Sequence, residues 1–300
     1  EEGNRTMNYF AGPEVEEITS KYCVFNGTGE LYSVVIDKIN QTVTINGTTL
    51  DQFDSVVLMY FDEAPLYTVY NNGSQNFYIT FEEVLGGNYT VGLMNDHNFN
   101  TYLLGYKFEM IEANFIISED EVYENLTDAI DAVVENGIIY ANHNYHIEEN
   151  MEIEISKSFT LKNFRDRIVI FDGNSTNWFF TVNEGCNVVF EGINFTDGSI
   201  KTNAAFENNG NLIFKNCIFT DFETEAIIYN TGILNILNSE FSDNTINSAI
   251  VLNEGDLSVD STVFASNIIN ANSVIYNNGI ADITSSNFTE NINYGNGGAI

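Results

Sequence analysis

Apolar and polar positions in the last third of the chain recur with a long period. Gly185, Gly210, Gly232, Gly255 and Gly279 are spaced by 25, 22, 23 and 24 residues. A phenylalanine follows each glycine: Phe195, then Phe219, Phe241, Phe264 and Phe288. An asparagine precedes each glycine by two positions: Asn183, Asn208, Asn230, Asn253 and Asn277. Small residues stand six before (Ala204, Ala226, Ala249, Ser273), and Ala299 begins the same column again. Phe206, Ile228, Val251 and Ile275 lie between the small residue and the asparagine. After the glycine come Leu212, Leu234, Leu257 and Ala281, then Phe214, Ile236, Val259 and Ile283. These columns alternate, so each repeat holds short strands of period two. The repeat is too short for a strand–helix–strand unit and lacks the leucine-rich pattern. It fits one turn of a right-handed parallel β-helix, with coils about 4.8 Å apart and like positions stacked. Stacking predicts an amide ladder along Asn208, Asn230, Asn253 and Asn277. It also predicts a ring column along Phe219, Phe241, Phe264 and Phe288.

The regular coils extend over about 179–300, with 151–155 and 168–171 as earlier, less regular coils. Ahead of them the pattern changes to a helical one. Ser118-Glu-Asp-Glu121 reads as a capping box. Leu126, Ile130, Val133 and Val134 form an apolar stripe, and Gly137 stands where a glycine ends a helix. A helix over about 118–136 is predicted to plug the end of the β-helix core, because no coil buries its apolar face alone. Asp128 and Asp131 fall off the stripe onto a solvated face. Residues 1–112 form a separate domain of short β-branched and aromatic runs: 29–36, 42–45, 55–61, 67–70, 75–81, 88–93 and 102–111. Turn signals at Asn26-Gly27, Asn46-Gly47, Asn72-Gly73 and Gly86-Gly87 separate them. That count of strands in about 100 residues is that of an Ig-like β-sandwich. The whole chain is thus all-β, with domains 1–112 and 113–300 and one capping helix.

Charge narrows the partners. The 300 residues carry 43 acids and 10 bases, a formal net charge of −33. That excludes binding through nucleic-acid phosphates and disfavours an anionic membrane surface. No run approaches the roughly 18 apolar residues of a membrane span. Self-repulsion keeps the chain monomeric. Cys23, Cys186 and Cys217 are odd in number and widely spaced, so they read as buried free thiols and not as a disulfide or zinc framework. The chain begins without Met, and Gly297-Gly298-Ala299-Ile300 falls inside a repeat, which points to a piece of a longer protein.

Motifs within the repeat carry a resemblance. Phe241-Ser-Asp-Asn244, Phe264-Ala-Ser-Asn267 and Phe288-Thr-Glu-Asn291 resemble the Phe-x-x-Asn motif of polymorphic outer-membrane adhesins. Gly297-Gly298-Ala299-Ile300 resembles their Gly-Gly-Ala-Ile motif. Phe195-Thr-Asp-Gly198 and Phe219-Thr-Asp-Phe222 depart from the pattern. Asn136 to Tyr140 and Lys157 to Leu161 look like the opening of pectin-lyase-like β-helices. The segment 77–91 resembles late strands of Ig-like modules in prokaryotic surface proteins. Together with the acidic, Asn- and Ile-rich composition, the chain is similar to adhesin-like surface proteins of methanogenic archaea. The resemblance covers 118–300 best and implies an extracellular surface role. Sequons agree with it. Ten occur, at Asn4, Asn26, Asn40, Asn46, Asn72, Asn88, Asn125, Asn174, Asn194 and Asn287. The first seven are enriched over chance within residues 1–130, mostly in the first domain, and suggest glycan attachment outside the cell. Asn-Gly-Thr is equally good hairpin-turn chemistry.

Catalytic and metal chemistry finds no constellation that outweighs its structural reading. After Lys215 there is no Lys or Arg, while ten acids are present. Arg165-Asp-Arg167 is the one basic cluster, read as a paired surface turn. Asp197, Asp221 and Asp243 recur once per coil after the phenylalanine. They form a solvated turn row, with a glycosidase pair or a calcium ladder as the weaker alternatives. His143 and His146 point to opposite faces of an extended segment. His97 falls in a polar loop. Trp178, Phe179 and Phe180 read as core cover before sugar-stacking platform. No catalytic residue, cofactor site or metal site is therefore assigned, with calcium the only cation considered. The sequence points to a non-enzymatic adhesin-like surface protein whose partner is a glycan or the surface of another cell. The alternatives are a polysaccharide lyase or glycoside hydrolase of the same fold, and a structural stalk or viral fibre.

Overall fold

The computed structural model describes residues 7–9, 22–26, 32–48, 55–60, 65–70, 76–95, 100–117, 121–146, 151–176, 178–199, 204–295 and 297–300. Two compact units divide the chain: Glu1–Ala113 with Glu119–Glu124, and Asn114–Ser118 with Asn125–Ile300.

The first unit holds two sheets. A four-stranded antiparallel sheet runs in the order Tyr22–Asn26, Tyr32–Asp37, Thr42–Thr48, Asn76–Phe81. A five-stranded sheet runs in the order Met7–Tyr9, Asn100–Met110, Gly87–Asn95, Ser55–Tyr60, Pro65–Tyr70. Met7–Tyr9 is its one parallel member, beside Asn100–Met110. Period-two reading locates seven of these strands and misses Met7–Tyr9 and Tyr22–Asn26. The turn expected at Asn46-Gly47 is absent, because both residues pair within Thr42–Thr48. The turn lies instead at Lys38–Gln41, where Asp37 Oδ1 accepts the backbone N–H groups of Ile39 and Asn40, each at 3.1 Å. Gln41 takes a left-handed φ of 53° there. Side-chain hydrogen bonding back to the chain gives this turn its signal. Tyr89 is buried, and its hydroxyl donates to the carbonyl of Leu85 at 2.9 Å.

The second unit is a right-handed β-solenoid of about six turns over 137–293. Three parallel sheets form its faces, and successive strands of one coil belong to successive faces. The first face contains Gly137–Ala141, Phe159–Asn163, Asn187–Glu191, Asn211–Lys215, Ile233–Leu237, Asp256–Asp260 and Ile280–Thr284. The second runs from Tyr145–His146 to Asn287–Thr289, and the third from Met151–Ile155 to Ile292–Asn293. The coils begin at Gly137, ahead of the first irregular coil expected at 151, and regular register starts ahead of 179. Phe159–Asn163 already pairs in register with Asn187–Glu191, and Gly137–Ala141 with Phe159–Asn163. Longer turns between early strands conceal the period there. The interior is filled by the columns Val188, Leu212, Leu234, Leu257 and Phe190, Phe214, Ile236, Val259, all buried.

The helix is shorter than the pattern suggested. Helix α1 spans Leu126–Ala132 and not 118–136. Its cap is Asn125, whose Oδ1 accepts the Asp128 N–H at 2.8 Å while its Nδ2 donates to Asp128 Oδ2. Glu121–Tyr123 is extended, so the capping box at Ser118–Glu121 does not start the helix. Leu126, Ile130 and Val133 are buried, but Val134 is 71% exposed because Val133 already leaves the helix in extended conformation. Gly137 is the first residue of a strand. A Cβ there would lie 2.7 Å from the Val133 side chain and 2.8 Å from the Val134 carbonyl, so close approach selects the glycine. Lys157 Nζ donates to the carbonyls of Asp131 and Val133, which satisfies the end of the helix. Phe115–Ile117 pairs antiparallel with Gly137–Ala141 and covers the first edge of that face.

Candidate functional site

Stacked coils place like residues over like, and side chains close ladders along the solenoid. Asn208 Nδ2 donates to Asn230 Oδ1, Asn230 Nδ2 to Asn253 Oδ1, and Asn253 Nδ2 to Asn277 Oδ1, each at 2.7 Å. Each donor amide also reaches a carbonyl of the next coil: Ile233, Asp256 and Ile280. Asn183 sits in the same sequence column but donates to Glu154 instead. Rings of Phe195, Phe219, Phe241, Phe264 and Phe288 stack at centroid distances of 5.2, 4.4, 5.0 and 4.8 Å. Earlier in the column, Phe171 meets Phe195 edge-on.

Two further ladders escaped the ladder assignment. Asn244, Asn267 and Asn291 end the Phe-x-x-Asn motifs, so their signal was present in the motif itself. Asn244 Nδ2 donates to Asn267 Oδ1 and Asn267 Nδ2 to Asn291 Oδ1, each at 2.8 Å. Each amide also donates to the carbonyl of the preceding phenylalanine column, at Phe219, Phe241 and Phe264. Phe222 fills this position in the coil that departs from the motif, and its backbone N–H donates to Asn244 Oδ1. A hydroxyl column forms the other ladder. Ser239 Oγ accepts from Cys217 N, Thr262 Oγ1 from Ser239 N, and Ser286 Oγ from Thr262 N. Cys217 heads this column. Burial first, and then the nearby Glu191 carboxylate, push its thiol up to about 12 against backbone hydrogen bonds that lower it. Cys186 is also free and is raised by burial and by Glu135.

The acid row has a backbone cause. Asp197, Asp221, Asp243, Ser266 and Glu290 all hold φ between 54° and 59°, Asp197 near the end of the strand Ile193–Gly198 and the others at the turn from the second face to the third. Asp tolerates this left-handed region better than most residues. Asp197 Oδ1 accepts from Ser175 Oγ at 2.7 Å. Among the described residues no group of three or more His, Cys, Asp or Glu could hold a metal ion. His146 Nδ1 lies 3.2 Å from Asp172 Oδ2 on the next coil, and His143 lies on the preceding turn. His97 and the Trp178 and Phe179 side chains lie outside the described residues, whereas Phe180 is buried and stacked on Phe206.

Among the described residues the Arg165-Asp-Arg167 turn carries no ion pair. Arg167 Nη1 donates to Asn142 Oδ1 at 2.7 Å, and both guanidiniums lie over the Phe164 ring. Among the sequons, Asn40, Asn88 and Asn125 are exposed. Asn26 and Asn46 lie in strands, while Asn4 and Asn72 fall outside the described residues. No helix among the described residues is long and apolar enough to cross a membrane.

The ladders and stacked faces define a parallel β-solenoid. Compared with known proteins, the chain matches no family model, no curated protein and no solved structure.

Proposed function

We propose that this chain is a non-enzymatic, extracellular adhesin-like protein whose solenoid presents a repetitive surface to a glycan or to another cell. The observation that carries the reading is residue-to-residue register over successive coils, such as Asn208, Asn230, Asn253 and Asn277 on the third face. Register of this kind repeats each outward side chain about every 4.8 Å. A weak contact made once per coil then gains by multivalency with a polymeric or cellular partner. Three internal polar ladders and the stacked rings hold that spacing rigid.

The first unit supports an Ig-like module as presenter or spacer. Its order Pro65–Tyr70, Ser55–Tyr60, Gly87–Asn95, Asn100–Met110 matches the extended C–F–G sheet of such sandwiches. Tyr89, near the start of its strand and bonded back to Leu85, matches the tyrosine corner. Exposed sequons at Asn40, Asn88 and Asn125 fit an extracellular setting.

Retention of the purified chain on insoluble polysaccharides and cell walls, with supernatants assayed for released sugars, tests the reading. Retention without release is expected. Released oligosaccharides would instead assign a polysaccharide-degrading activity and direct mutation to Asp197, Asp221, Asp243 and Arg165. Neither retention nor release would leave a structural stalk.

A further inference from the structure

Three cations on the second coil gather around the aromatic rings of Tyr140 and Phe164. Tyr140 and Lys162 occupy the same column of the first face, in direct register. Glu191 is next in that column and Lys215 after it. Glu191 could pair with either lysine, and it takes Lys215 at 2.7 Å. Lys162 turns the other way, with Nζ 5.1 Å from the Tyr140 ring centroid. Tyr140 meets Phe164 edge-on at 5.7 Å. Phe164 in turn carries the Arg165 guanidinium at 4.7 Å and that of Arg167 at 6.0 Å. Neither Lys162, Arg165 nor Arg167 has a carboxylate within ion-pair distance among the described residues. Both arginines are exposed, as is Asp166 between them. Arg165 and Asp166 hold left-handed φ values of 51° and 54°, an uncommon conformation for arginine that presents its side chain beside Phe164.

From this arrangement we infer that Lys162, Arg165 and Arg167 form an oxyanion-binding patch for the sulfate or carboxylate groups of an acidic glycan. In a chain with 43 acids, three cations that neighbour one another on aromatic rings carry no carboxylate partner among the described residues. Resting on ring faces fixes each cationic head without neutralising it, so the patch is organised before ligand arrives. Arg donors suit the planar, two-oxygen face of a carboxylate or sulfate. Repulsion from the remaining surface is damped beyond about 8 Å at physiological ionic strength, while direct contacts survive. A glycan is favoured over an acidic peptide because the attachment reading above, on which this inference rests, already supplies a polymer presented at a surface. The site lies at the amino-terminal coils, away from the coils after Lys215 that carry acids alone.

The experiment measures binding of the full chain to chondroitin sulfate, hyaluronan, dextran sulfate, neutral dextran and poly-glutamate at 0.15 M salt. The test variant combines Lys162→Gln with Arg165→Asn. Gln keeps most of the lysine stem, and Asn tolerates the left-handed backbone at 165. Lys215→Gln is the control, since it removes a cation that is already paired. Circular dichroism confirms that all three chains fold. Binding to the acidic glycans and not to dextran is expected, weakened about tenfold or more in the double variant and little in the control. Hyaluronan against dextran sulfate separates carboxylate from sulfate as the recognised group, and either supports the patch. Equal binding by the double variant would overturn the patch and leave glycan attachment standing, as would retention on neutral dextran or cell walls alone. Preference for poly-glutamate would overturn the glycan as occupant. No binding to any glycan or cell wall would overturn both readings.

Discussion

Replacing Asn230 with leucine cuts the inner asparagine ladder at its centre while keeping a side chain of similar size. Asn230 is fully buried. Its Oδ1 accepts from Asn208, and its Nδ2 donates to Asn253 and approaches the Gly232 and Asp256 carbonyls at 3.2 Å. In the variant, Asn253 Oδ1 loses its ladder donor and Asn208 loses one acceptor, although Asn208 keeps the Ile233 carbonyl. Each buried polar atom left unsatisfied costs about 1–3 kcal/mol. The added apolar burial returns about 1–2 kcal/mol. The two lost ladder bonds, less that return, leave a net loss of about 2 kcal/mol. Urea unfolding followed by the fluorescence of Trp178, the sole tryptophan, reads the solenoid directly, since this residue begins a third-face strand. Asn270→Leu is the comparison, because Asn270 is exposed and bonds Asn247 at 3.2 Å; it should shift stability by no more than about 0.5 kcal/mol. If Asn230→Leu were as mild as Asn270→Leu, the ladder would not stabilise the solenoid and this reasoning would be wrong.

Other perturbations bear on the same stack. Phe241→Ala removes a ring held between neighbours at 4.4 and 5.0 Å and should cost about 3–5 kcal/mol in the same unfolding assay. Gly255→Ala places a Cβ 2.2 Å from the Gly232 carbonyl oxygen; because that neighbour is backbone, a loss of at least about 2 kcal/mol is expected, and unchanged thermal unfolding would refute the close contact. The Cys217 thiol, raised from 9.0 to about 12, should resist iodoacetamide at pH 8 in the folded chain and react on denaturation. Its folded state holds the proton more tightly than the unfolded state, so its stabilising contribution is complete below pH 9 and is lost as pH rises towards 12; a denaturation midpoint that climbs over that window in wild type relative to Cys217→Ala would contradict the sign. Asn125→Ala removes the cap of α1 and should cost about 1 kcal/mol by urea unfolding.

The solenoid was legible because its chemistry repeats. A single glycine, phenylalanine or asparagine says little, but five of each in one spacing specify a coil and assign each column to inside or bend. The same logic fails where repetition fails. Turns between the early strands differ in length, so the coils from Gly137 to Val182 carry no visible period although their strands pair like the others. The helix was misjudged as well. The sequence pattern placed the cap at Ser118–Glu121, whereas the helix is capped by Asn125 and buries Leu126, Ala129 and Ile130. The basic cluster was visible, but its ring partners were not. Arg165-Asp-Arg167 reads as a self-paired turn in one dimension, because nothing local announces that Phe164 and Tyr140 will take the cations.

The sequence by itself determined the all-β class, the coil repeat, the identity of the buried columns and the strongly acidic surface. Each follows from alternation, periodicity or charge, which are properties of neighbours along the chain. Tertiary structure alone decided where the first coil begins, how long the capping helix is, and which polar groups bond between coils. It also decided that Glu191 pairs with Lys215 and leaves Lys162 to Tyr140. Those outcomes depend on residues more than twenty positions apart competing for one partner, and stacking of the coils settles that competition.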